Sequence, residues 1–240
     1  MLRPKARLKM SGIFITGTDT AVGKTVVTGL LARYLLAAGY STITQKWIQT
    51  GCDAFPPDIA AHLQFAPVDK QPLDDICPYR FSVPASPHLA AANDNTRIDP
   101  ARITESFNKL AAQFDFVLVE GIGGILVPFN SKSLVIDIAA GLKLPVIIVA
   151  KNRLGAINHT LLTIEAAKAR AMRILGIVFN ESENEEPALI TEDNPKIIAD
   201  LTGETILGVL LHSVDKNTLI ESFEPIGERL LGQLEGARNE

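Results

Sequence analysis

Apolar residues along this chain fall into short, mostly unbroken runs, separated by longer stretches in which they recur every three or four positions. The runs are Ile13 to Thr16, Thr42 to Trp47, Phe116 to Val119, Val146 to Ala150, Ile174 to Phe179 and Ile206 to Leu211. Most are continuous rather than alternating and rich in β-branched residues, the pattern of strands covered on both faces. The intervening stretches are long enough for crossover helices. Val26 to Ala38 carries apolar residues at helical spacing, and Asp99-Pro100 supplies an N-cap and a first-turn proline ahead of a stripe of Ile103, Phe107, Leu110 and Phe114. Strands alternating with helices predict an α/β fold: a doubly wound, mainly parallel sheet with helices on both faces. Asn180 to Asn194, acidic and poor in apolar residues, predicts an exposed loop or lid.

The chain has 240 residues, of which 47% are hydrophobic and 21% charged, and this excludes disorder. A single domain over 12–240, preceded by a flexible extension over 1–11, is the expected organisation. No apolar run approaches the ~20 residues that span a bilayer, and basic residues 1–9 lack the apolar core of a secretory signal. No membrane role is therefore expected. The formal charge of −4, with no basic block beyond the first few residues, argues against a nucleic-acid partner. Cys52 and Cys77 fit neither a disulfide framework nor a metal spacing, so a reducing, cytoplasmic setting is expected. Small-molecule chemistry remains.

Its centre is the loop Gly17-Thr18-Asp19-Thr20-Ala21-Val22-Gly23-Lys24-Thr25, set between the first strand and the first helix. In such a loop, backbone N–H groups and the helix N-terminus converge on phosphates. Lys24 adds a point charge and the Thr25 hydroxyl completes a Mg²⁺ shell. The leading glycine lies one residue earlier than in the usual spacing. The fold expected is thus P-loop NTPase-like.

In open α/β sheets ligands gather beyond the carboxyl ends of the strands. The second run ends at Lys46, followed by Thr50 and Gly51. The third delivers Glu120 and then Gly121, Ile122, Gly123 and Gly124, an acid placed to hold or polarise Mg²⁺ beside backbone that passes close to a ligand. The fifth ends at Asn180, whose amide suits base recognition and equally suits a turn. The four histidines show no spacing to a nucleophile and read as structural or peripheral.

Taken in order, the loop from Gly17 to Thr25, Lys46, Ser86-Pro87-His88 after Tyr79, Val119 to Gly124, Leu154 to His159 and Gly176 to Asn180 resemble the dethiobiotin synthetase family. The resemblance runs from about Ile13 to Ser213 and accounts for the odd loop spacing. It implies a Mg²⁺- and ATP-dependent cyclo-ligase that carboxylates 7,8-diaminononanoate with CO2 and closes a ureido ring. A carbamate forms on one amine, ATP phosphorylates it to a carbamic-phosphoric anhydride, and the second amine displaces phosphate, giving dethiobiotin and ADP. It further implies catalytic roles for Lys24 and Lys46, with Thr25, Glu120 and an aspartate after Gly51 holding Mg²⁺. Asp58 is chosen over Asp53 because a helical pattern follows it.

The nucleotide would be wrapped by Ala21, Val22, Gly23, Lys24, Thr25 and Val26, by Asp58, and by Glu120, Gly121, Ile122 and Gly123. Asn180, Glu181, Leu211, His212 and Ser213 would complete its base side. Substrate would meet Thr20, Lys46 and Thr50, with Gly155 and Asn158 reaching it from the second subunit of a homodimer. Trp47, Ala156 and Leu211 depart from the family's frequent proline, cysteine and proline. An alanine at Lys46 is expected to slow turnover and leave the fold intact. The competing reading is a dimeric partition or site-selection ATPase of the same fold. It is disfavoured by Asp19, which stands where that group's signature lysine would, and by the acidic segment Leu219 to Leu234.

Overall fold

The structure, a computed structural model, describes residues 12–68, 72–181 and 186–236. The extension over 1–11 and the acidic residues Glu183 and Glu185 lie outside the described residues.

All six sequence-predicted strands form. They are β1 (Ile13–Gly17), β2 (Thr42–Lys46), β5 (Phe116–Gly124), β6 (Val146–Lys151), β7 (Ile174–Asn180) and β8 (Ile206–Leu210). They pair in the order β2-β5-β1-β6-β7-β8, every pairing parallel. Their continuous apolar character follows from burial on both sides. Ile13 and Ile15 of β1 and Phe116 and Leu118 of β5 pack with α1 (Lys24–Ala37) and α9 (Lys216–Gly236), whereas Phe14, Val117 and Val119 pack with α5 (Pro100–Gln113). A third cluster seats α7 (Ala156–Lys168) and α8 (Ala188–Thr202) on Ile148, Ala150, Ile177 and Phe179. Asp99 caps α5 as its position predicts, accepting from the Ala101 N–H at 2.8 Å.

Between β2 and β5 the chain does something the apolar runs do not show. β3 (Ile48–Thr50) and β4 (Tyr79–Phe81) pair in parallel as a separate two-stranded sheet. Trp47 joins it to the main sheet: its buried ring stacks on Phe14 with centroids 5.7 Å apart, and its Nε1–H donates to Gln45 at 2.8 Å. A large aromatic side chain thus fills the seam between the two sheets. α2 (Pro57–Phe65), α3 (Leu73–Ile76) and α4 (Pro87–Asn93) complete this excursion, and α6 (Val135–Gly141) follows β5.

The expected acidic loop over 180–194 is corrected in part, because α8 begins at Ala188 and Asn194 is buried. Its amide donates to Asn152 Oδ1 at 2.9 Å and to Arg153 O at 3.1 Å, while Asn152 donates to Thr191 O at 2.9 Å. A polar residue can enter the interior when its partners enter with it. No helix among the described residues is long and apolar enough to cross a membrane.

Candidate active site

The carboxyl ends of β1, β5 and β2 are neighbours, so the phosphate loop, Glu120 and Lys46 meet at one edge. In register Lys46 faces Glu120 across β2 and β5, while Ile15 faces Glu120 across β1 and β5. Pairing then slips so that Gly17 faces Gly124, and Gly121 to Gly123 bow out of the ladder immediately after the acid. Glu120 is therefore the last regularly paired residue on its side.

Lys46 is buried with its ammonium fully occupied. It donates to Glu120 Oε1, Asp58 Oδ2 and Gly121 O, each at 2.7 Å. An ammonium has three N–H donors, and all are used. Burial alone would lower the pKa of Lys46, but the charges of Glu120 and Asp58 raise it. Glu120 feels the converse: burial works to raise its pKa, and Lys46 together with a hydrogen bond from His62 holds it far below the carboxylate range. Its Oε1 also accepts from the Thr25 hydroxyl at 3.2 Å.

The phosphate loop holds two left-handed backbone positions, Ala21 at φ 55° and Gly23 at φ 101°. The first is strained for an L-residue, a device common where backbone N–H groups must turn toward a ligand. A Cβ on Gly23 would collide with the Asn180 amide, which donates to Val22 O at 3.0 Å. Lys24 donates to Asp19 O at 2.9 Å, and its pKa falls to about 8, chiefly through burial and then through the like charge of Lys46.

These groups open onto a cavity of about 480 Å³. Thr20, Ala21, Gly23, Lys24, Thr25 and Val26 of the phosphate loop and the start of α1 line it, together with Lys46, Thr50, Asp58, Glu120, Ile122 and Gly123. Asp53 is exposed and does not line it. Val22 points into the core, and of Gly121 it is the carbonyl that serves the site.

Asn180 reaches the loop through its amide at Val22 O, and Glu181 is tied to the end of β8 through its N–H to Leu210 O at 3.0 Å. Leu211 and His212 are exposed beyond β8, with Ser213 partly so. Gly155 and Asn158 stand exposed at the start of α7, outside the cavity. Among the described residues there is no cluster of three or more His, Cys, Asp or Glu residues that could hold a metal. What the cavity offers is two carboxylates and a hydroxyl, hard oxygen donors of the kind that bind Mg²⁺ with nucleotide phosphates and water completing its shell. The residues fit that ion.

Two participants escaped the sequence reading. Gln49 lines the cavity. His62, expected to be structural or peripheral, is fully buried with Nε2 2.7 Å from Glu120 Oε2. The helical pattern around it carried a partial signal, since His62 lies one turn after Asp58 and must share its face.

A protein-family model described as an AAA domain matches residues 11–216. Among solved structures, the MinD cell division protein of Aquifex aeolicus superposes with a TM-score of 0.57, covering 95% of this chain and 97% of that one, at 15% identity. At that identity the likeness establishes the fold and leaves the partition-ATPase reading unsupported. A curated ATP-dependent dethiobiotin synthetase from Anaeromyxobacter is 38% identical over 94% of this chain and the whole of the relative. With another from Chlorobaculum tepidum 44% identical over 72% of this chain and 74% of its own length, the chain belongs to the dethiobiotin synthetase family.

Proposed function

We propose that this cavity carries out the family's reaction: CO2 joined to one amine of 7,8-diaminononanoate, phosphorylation of the carbamate by Mg-ATP, and ring closure by the second amine with loss of phosphate. The observation that carries the reading is the pair of buried lysines, Lys24 and Lys46, that both line one 480 Å³ space. A carbamate and a γ-phosphate are both anions, and their approach needs fixed positive charge in a water-poor site.

Lys24 serves the phosphate side, beside the loop N–H groups. Lys46 serves the carbamate side, and Thr50 and Thr20 border the substrate. Thr25, Glu120 and Asp58 would hold Mg²⁺, which would supply neutralisation of phosphate charge. Asn180, Glu181 and the segment from Leu211 to Ser213 would frame the base. No protein nucleophile is needed. Neither cysteine lines the cavity, and burial pushes the Cys77 thiol up to about 12.

Gly155 and Asn158 would act across a homodimer interface. Exposed Leu126, Leu154 and Leu162 support that arrangement, two of them bordering an apolar groove of about 270 Å³ beside α7.

The test is purified protein with diaminononanoate, bicarbonate, Mg²⁺ and ATP, following ADP and the ureido product by mass spectrometry. ATP turnover that ignores the diamine would sink the ligase reading. For the dimer, light scattering should give twice the 25.9 kDa chain mass, and Leu162→Glu should halve it. A monomeric parent would remove Gly155 and Asn158 from the site.

A further inference from the structure

Helix α2 delivers two side chains to the site from one face: Asp58 and, one turn on, His62. Asp58 pairs with Lys46, and His62 pairs with Glu120. The two oxygens of Glu120 are thereby made unequal. Oε1 takes the Lys46 ammonium and the Thr25 hydroxyl, and among the described residues Oε2 takes the imidazole alone, at 2.7 Å. A carboxylate only accepts, so Nε2 carries the proton in this contact.

The other ring nitrogen, Nδ1, is buried without a hydrogen-bond partner among the described residues. An orphaned buried polar atom carries a desolvation cost that leucine in the same space would avoid. The imidazole is thus a poor choice for packing, and the polar contact it makes is with Glu120.

We propose that His62 is a positioning residue for Glu120. Its N–H fixes Oε2 against the wall and so presents Oε1 beside the Thr25 hydroxyl as a preset pair of oxygens for the divalent cation. This rests on the reading of Glu120 as a Mg²⁺ ligand. Hydrogen bonds to a ligating group orient it, and losing one typically weakens metal binding about 10–100-fold.

The experiment measures Mn²⁺ binding to the full chain in the presence of a non-hydrolysable ATP analogue, reading free Mn²⁺ by electron paramagnetic resonance. His62→Leu should weaken binding about 10–100-fold, and His62→Gln, which retains an N–H donor of similar reach, should recover most of it. His62→Leu binding Mn²⁺ like the parent, or Gln failing to rescue, overturns the proposal. If His62→Leu does not fold, His62→Gln is set against His62→Asn, too short to reach Glu120; equal affinities overturn it as well. A Glu120→Gln arm separates the two levels. If that change weakens Mn²⁺ binding and His62→Leu does not, only the positioning role falls; if Glu120→Gln is silent, the metal reading falls and His62 with it.

Discussion

Replacing Lys46 with methionine keeps an unbranched stem out to Cε and removes the ammonium from three acceptors. Glu120 is left charged with a side chain 1% exposed and without its main counter-charge, whereas Asp58, at 24%, can turn toward water. Breaking a buried pair from one side costs about 3–5 kcal/mol, and the half-exposed partner adds little. For a chain of this size each kcal/mol moves the melting temperature by about 2–4 °C, so Lys46→Met should fall by roughly 6–20 °C.

The pH dependence should also change. In the parent, Glu120 titrates far below its unfolded value, so its stabilisation is complete above the ordinary carboxylate pKa and lost only as pH falls below it. In the variant, burial still works to raise its pKa and the main group holding it down is gone, leaving His62, so the acid should titrate well above its parent value. The destabilisation then grows as pH rises and is relieved on acidification. Scanning calorimetry in EDTA from pH 5 to 8 reads both effects, and Lys46→Met with Glu120→Gln should regain most of the loss. A single variant that melts within about 2 °C of the parent, with an unchanged pH profile, would refute the reasoning. The ion pairs of Lys46 thus add a stability cost to the loss of turnover expected when this position is emptied.

Lys24, with its pKa at about 8, is disfavoured in its charged form, so the unliganded protein should gain stability as pH rises from 8 toward the ordinary lysine value. Phosphates restore the charge; ATP binding should therefore take up a proton near pH 8 and weaken above it. Titration calorimetry in buffers of different protonation enthalpy checks this, and a buffer-independent heat would contradict it. Gly23→Ala forces a left-handed alanine into the Asn180 amide. It should cost about 1–3 kcal/mol and weaken a fluorescent ATP analogue at least about tenfold, with partial recovery in Asn180→Ala. Parent-like affinity would count against it.

The sheet and the phosphate loop were legible because their signals are local. Phe116 to Val119 read as a buried strand, and Glu120 follows at once. Lys46 was legible in the same way, as the charge ending an apolar run. His62 was not, since its role depends on α2 lying across the end of β5, a contact between residues 58 apart in the chain. The strands β3 and β4, three residues each, are too short to carry a period, and the Trp47 seam that holds them is tertiary. Asn194 sits in an acidic stretch that reads as solvated, and it is drawn inside by Asn152, 42 positions away.

Lys46 and Glu120 are ladder partners, placed by the register of β2 on β5. Between β2 and β5 the chain leaves the main sheet and returns to it. The placement of this pair is thus indifferent to how long that excursion is. Residues remote from α2 and from Thr50 could be lengthened, trimmed or exchanged, and the edge of the cavity reshaped for a longer or shorter diamine, with the charged pair left where the sheet puts it.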